Sequence, residues 1–167
     1  MIVFAHLPDD KGLALGAQLG DEAATLALGA RFAAALAPGL VVWLEGDLGS
    51  GKTTLVRGVL RALGHTGAVK SPTYTLIEPY VVSRINLYHF DFYRLSSPEE
   101  FLDAGLDEYF SGTGVCFVEW PRQAEPYLAK PDVVVALAAQ DGGRRATITA
   151  TTEAGSTCLK RLTDPAN

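Results

Sequence analysis

Cysteine is scarce in this chain. Of 167 residues only Cys116 and Cys158 carry thiols, far apart and outside any CxxC spacing, so nothing points to an oxidising compartment. Cys116 lies in the apolar run Val115-Cys-Phe-Val118, where cysteine acts as a small buried hydrophobe. Basic residues are the minority charge: 14 Lys and Arg face 19 Asp and Glu, for a net charge of -5 and a pI of about 5.1. Strong direct binding to DNA or RNA needs a dense basic surface, so that class is set aside. Long apolar runs are missing as well, and no stretch would span a bilayer. The segment from Met1 to Asp10 lacks a basic start and turns acidic after seven residues, unlike a signal peptide. A cytoplasmic location is expected by elimination. There is no internal repeat and no separating linker.

What is there is an ordinary globular composition, 48% hydrophobic and 20% charged, in a chain long enough to bury a core. Residues 1–151 read as a single domain and residues 152–167 as a C-terminal tail, its last dozen residues frayed. Residues 1–6 read as a short strand and residues 8–20 as ambiguous. A helix is predicted from Asp21 to Leu36, with Leu28, Phe32 and Leu36 four apart and acidic residues at its start. Pro38-Gly39 stops it. Leu40 to Leu44 is continuous in apolar residues, as a central parallel strand should be. A second helix runs from about Lys52 to Leu63, with Gly64 to end it. Residues 73–82 and 84–93 read as a hairpin breaking near Val82-Ser-Arg84. Ser97-Pro98-Glu99-Glu100 starts a short helix with serine as its cap. Val115–Val118 reads as another buried strand. Val133–Ala138 and Ala146–Thr151 flank Asp141-Gly142-Gly143, a second hairpin signal. The expected fold is α/β and P-loop NTPase-like, a parallel central sheet with antiparallel hairpin additions and flanking helices.

Between the strand at 40–44 and the second helix lies Gly46, Asp47, Leu48, Gly49, Ser50, Gly51, Lys52, Thr53 and Thr54, a full G-x-x-x-x-G-K-[ST] match. Glycines let backbone N–H groups close around phosphate oxygens, and the helix start aims its dipole at the anion. Lys52 can reach the β- and γ-phosphates and the Thr53 hydroxyl can ligate magnesium. The chemistry expected is that of a magnesium-dependent ATPase, with ATP and Mg2+ as its ligands.

Such sites also need an acid at the end of a buried strand. Glu119, after Val115–Val118, is assigned as a direct or water-mediated magnesium ligand. Trp120 beside it lies near the nucleotide or simply packs. In Leu87-Tyr-His-Phe-Asp-Phe-Tyr-Arg94, alternation puts His89, Asp91 and Tyr93 on one face and Tyr88, Phe90 and Phe92 on the other. Two readings of Asp91 stand: it orients the attacking water or a magnesium water, or it is a structural acceptor satisfied by His89 or backbone. His89 alone reads as a hydrogen-bonded core residue. Lys70–Thr75 is either a switch that senses the γ-phosphate through a hydroxyl or a proline-stiffened turn.

The phosphate loop together with Val69-Lys-Ser-Pro-Thr-Tyr-Thr-Leu76, His89-Phe-Asp-Phe-Tyr-Arg-Leu95, Pro98-Glu-Glu100 and Val118-Glu-Trp-Pro121 resembles the TsaE (YjeE) family of bacterial tRNA threonylcarbamoyladenosine biosynthesis ATPases. Order and separation agree from about Asp21 to Ala150. The resemblance implies that Thr53 and Glu119 bind magnesium, that Asp91 is needed for hydrolysis, and that Lys70–Thr75 is the switch. It further implies that Glu22 and Arg144 contact nucleotide. Its implied partners are the proteins TsaD and TsaB, whose turnover the ATPase cycle supports, with tRNA met only through that complex. Residues 9–20 look like an insertion relative to the family, and the tail after Thr151 is unmatched. Competing functions are a small-molecule P-loop kinase, disfavoured by the lack of an arginine-rich lid, and a nucleotide-gated binding module.

Overall fold

Residues 40–44 alternate between two cores: Leu40, Val42 and Leu44 pack into one, Val41 and Trp43 into the other. A strand buried on both faces is continuous in apolar residues for this reason. The same split repeats at Val115 and Phe117 against Cys116 and Val118, so the sheet is the middle layer of three.

The computed structural model describes residues 2–9, 12–83 and 85–167. In chain order the strands are β1 (Phe4–Leu7), β2 (Ala14–Leu19), β3 (Val41–Glu45), β4 (Ile77–Val82), β5 (Ile85–Asp91), β6 (Val115–Glu119), β7 (Val133–Gln140) and β8 (Gly143–Ala150). The α-helices are α1 (Glu22–Ala35), α2 (Lys52–Ala62), α3 (Glu99–Asp103) and α4 (Glu153–Leu162). Single 3₁₀ turns lie at Leu106–Phe110 and Pro121–Ala124. Among the described residues the strands form one eight-stranded sheet, in the order β1-β2-β8-β7-β3-β6-β5-β4. Only the β7-β3, β3-β6 and β6-β5 pairs are parallel. The α/β expectation of a parallel centre with antiparallel additions is what the chain forms.

Helices α1, α2 and α4 cover the first core; α3 and the 3₁₀ turns cover the second. Asp21 caps α1 by accepting from the Ala24 N–H at 2.8 Å. Gly29 of α1 and Gly58 of α2 sit where a Cβ would strike the other helix's backbone, so the two helices cross in near contact. The β7–β8 turn is Asp141-Gly142, both at positive φ, as a two-residue hairpin of this twist requires.

Several expectations are corrected. The span 73–82 enters β4 only at Ile77, because the Leu76 N–H turns back to the Pro72 carbonyl at 2.8 Å. The short helix is not capped by a serine side chain. Pro98 holds the cap position, and Ser97 contributes its carbonyl to the Glu100 N–H at 3.2 Å. Within residues 9–20, taken as an insertion, β2 lies between β1 and β8 and completes that edge of the sheet. Asp10 and Lys11 in that stretch, Met1 of the first strand and Arg84 of the hairpin break lie outside the described residues.

The expected frayed tail is instead the helix α4. Thr152 caps it, accepting from Gly155 at 3.1 Å and donating to Asp132 at 2.7 Å. Arg31 of α1 donates to the Leu162 carbonyl at 2.7 and 3.1 Å and to that of Asp164 at 3.2 Å, satisfying the carbonyls at its end. Cys158, Leu159 and Leu162 complete the first core. Among the described residues no helix is long and apolar enough to cross a membrane.

Candidate functional site

Parallel pairing sets the register that builds the site. Glu119 ends β6 opposite Leu44 of β3, and Asp91 ends β5 opposite Glu119. Alternation then puts His89, Asp91 and Glu119 on the α2 side, because their neighbours Phe90 and Val118 belong to the other core. The chain leaving β3 crosses this edge through residues 46–51 and enters α2 at Lys52.

The glycine positions in that loop answer to geometry. Gly46 has φ 150°, and a Cβ there would lie 2.5 Å from the Ser50 hydroxyl and 2.6 Å from the Leu137 carbonyl. Gly51, at φ 104°, is the N-cap of α2 and supplies no side-chain bond, so the first N–H groups of that helix lack a side-chain cap. An anion placed there meets both free donors and the positive end of the helix.

Lys52 is 4% exposed. Its ammonium donates to the Gly46 carbonyl and, at 3.0 Å, to that of Asp47, and lies 4.3 Å from the Trp120 ring centroid. Burial pushes its pKa down, and the carboxylates of Glu119, Asp91 and Asp47 act against that shift. Thr53 donates to the Glu119 carboxylate at 2.9 Å (Oε2) and 3.2 Å (Oε1). His89 Nε2 lies 2.6 Å from the same Oε2. Asp91 is bound by the Ser71 hydroxyl, by the Thr73 hydroxyl at 3.1 Å and by the Tyr93 N–H at 2.9 Å. Ser71 also reaches Glu119 at 3.4 Å.

Residues 48–54, Ser71, Thr73, Asp91, Glu119, Trp120 and Arg144 thus line one cleft of about 220 Å³. Arg144, from β8, donates to the Gly49 carbonyl at 3.0 Å and closes one side. Behind the loop a second hollow of about 640 Å³ is bounded by Gly20, Asp21, residues 46–50 and the β7–β8 hairpin. Gly46 and Asp47 face this hollow, while Leu48, Gly49 and Ser50 border both. Of the sequence-nominated residues Glu22 stands apart: it is exposed on the first turn of α1 and lines neither space, whereas its neighbour Asp21 does.

His89 does not reach Asp91, which sequence offered as its partner; it pairs diagonally with Glu119 on the adjacent strand. Tyr93 lies past the end of β5, its ring 5.0 Å from that of Trp120, so strand alternation does not govern it. Individual roles for Ser71 and Thr73 were not read in advance, although their segment was singled out. The hairpin wall of the second hollow carried a turn signal, Asp141-Gly142-Gly143, but no pattern that pointed to a binding surface.

The described residues hold no cluster of three carboxylate, imidazole or thiolate groups fit for a metal. The Thr53 hydroxyl and Glu119 carboxylate nonetheless offer adjacent hard oxygen donors. That sparse set suits magnesium, which keeps several waters and takes the rest of its shell from phosphates.

Comparison with known proteins gives one family. Residues 19–147 match the model of the threonylcarbamoyl adenosine biosynthesis protein TsaE. The tRNA threonylcarbamoyladenosine biosynthesis protein TsaE of Haemophilus influenzae is 39% identical over 149 residues, covering 86% of this chain and 94% of its own. The protein of the same name from Bacillus subtilis is 47% identical over 123 residues, covering 72% of this chain and 77% of its own. The crystal structure of Bacillus subtilis YdiB superposes with a TM-score of 0.79 at 33% identity, spanning all of this chain and 99% of that one.

Proposed function

The chain belongs to the TsaE family, and on that premise we propose that it is a P-loop NTPase-like, magnesium-dependent ATPase. Its ATP cycle supports turnover of the TsaD–TsaB complex in the N6-threonylcarbamoyladenosine modification of tRNA, a cytoplasmic reaction in which tRNA is met only through that complex. The observation that carries the ATPase reading is the convergence of Lys52, Thr53, Asp91 and Glu119 on one cleft at the uncapped N-terminus of α2.

In this reading the loop N–H groups and the first turn of α2 hold the triphosphate. Lys52 exchanges the Gly46 and Asp47 carbonyls for phosphate oxygens, which balance its charge better than neutral carbonyls do. Thr53 and Glu119 would hold magnesium, which when bound would supply positive charge against that of the phosphates. Asp91 orients the attacking water, and its present partners Ser71 and Thr73 make the segment 70–75 responsive to what fills the cleft. Arg144 braces the loop through Gly49.

The test is phosphate release from ATP and magnesium, measured with and without purified TsaD–TsaB. Slow release accelerated by the partners is expected. Phosphate appearing on a small metabolite would instead make the protein a kinase. Glu119→Ala should weaken magnesium-dependent hydrolysis more than nucleotide binding, and equal loss of both would remove it as a metal ligand.

A further inference from the structure

The buried polar and charged side chains among the described residues are Thr25, Lys52, His89, Asp91 and Glu119. Thr25 bonds within its own helix, and three of the others have tasks above. His89 has none. It is wholly buried, and its Nδ1 has no hydrogen-bond partner. An imidazole in that state is costly where a leucine would fill similar space without an orphaned polar atom.

The geometry points to His89 as a positioning residue that holds the Glu119 carboxylate in place for magnesium, an inference that rests on the reading above. Its neutral form with the proton on Nε2 fits both ring nitrogens. Nε2–H then donates to Glu119 Oε2 at 2.6 Å, and only a lone pair is left bare at Nδ1. The other neutral form would set an Nε2 lone pair against a carboxylate oxygen and bury an N–H with no acceptor. His89, Thr53 and Ser71 all reach Oε2, whereas Oε1 has only the 3.2 Å contact from Thr53. Ser71 gives its single hydroxyl proton to Asp91, so His89 and Thr53 are the donors that fix Oε2 and leave Oε1 the freer oxygen. Phe117 registers opposite His89 on β6, and the ring has no route to solvent, so its donor is aimed at one acceptor. An outer partner that orients a ligating carboxylate tunes metal affinity without touching the metal.

The experiment compares ATP binding across a magnesium titration, and in EDTA, for the wild type, His89→Leu and His89→Gln. The leucine variant should need about tenfold more magnesium for the same tightening of ATP binding. Glutamine, whose amide N–H reaches about as far as Nε2–H, should recover most of that loss, and binding in EDTA should hardly move in either. A magnesium requirement in His89→Leu equal to wild type overturns the proposal, as does an equal loss of affinity in EDTA. Long-range proton–nitrogen NMR of the wild-type imidazole is independent of both variants and of nucleotide. It should find the proton on Nε2 and none on Nδ1; a proton on Nδ1 overturns the assignment. Wild-type protein that bound no ATP at any magnesium concentration would strike the ATPase reading instead, with the NMR result still deciding the orientation of His89.

Discussion

The two halves of the sheet contribute to the cleft in different ways. Strands β3, β6 and β5 run parallel, so all three end at the same edge, and there the chain places the loop, Glu119 and Asp91. On the other side β7, itself parallel to β3, begins an antiparallel run with β8, β2 and β1, of whose hairpin turns only β7–β8 lies at that edge. They supply one cleft side chain, Arg144, and the hairpin wall of the second hollow. Parallel order gathers strand ends, which is why ligands sit outside the carboxyl ends of such strands. Antiparallel order can only frame them. The parallel half should therefore dominate chemistry and binding, and the antiparallel half should adjust them.

The strongest way to break that division is Asp91→Asn. We expect ATP still to bind while turnover falls by about a thousandfold, measured as single-turnover phosphate release. An unchanged rate would return Asp91 to a structural acceptor for Ser71, Thr73 and the Tyr93 N–H. Next comes Lys52→Ala, expected to weaken ATP binding by about a hundredfold through loss of a charged donor, read by calorimetry. Arg144→Ala on the antiparallel side should cost only about fivefold in affinity, the worth of one hydrogen bond. A loss from Arg144→Ala as large as that from Lys52→Ala would erase the distinction between the halves.

The smallest effect compares one thiol from each side. Burial pushes Cys116 on β6 up to about 12 and Cys158 on α4 up to about 11, each from 9.0. Below pH 9.0 both thiols are protonated in folded and unfolded chains, and their contribution to stability is constant. Above it the unfolded chain loses these protons first, so stability should fall as pH rises toward about 11 for Cys158 and about 12 for Cys116. Urea midpoints across that window should fall less steeply in Cys116→Ala than in Cys158→Ala. Equal slopes would mean that the two thiols are equally shielded.

Local residue order made much of this legible. The loop directly follows the apolar run of β3, and Glu119 directly closes the apolar run of β6, so each of these signals spans only a few residues and has a short-range cause. Asp141-Gly142 announced the β7–β8 turn for the same reason, since left-handed backbone favours those residues. The C-terminal helix was missed because its support is distant in sequence: Arg31 and Asp132 satisfy its ends, and the core buries its apolar side. The strand β2 was missed likewise, its partners lying before it and at the far end of the chain.

By itself the sequence determined that a glycine loop would join β3 to the start of α2, because glycine spacing and a helix start act over eight or nine residues. Only the tertiary structure decided that His89 would reach Glu119 rather than Asp91, and that Ser71 would bridge both acids. Register between parallel strands joined by long crossovers sets those distances. That register is fixed by packing against the helices on either side, which no local run of residues encodes.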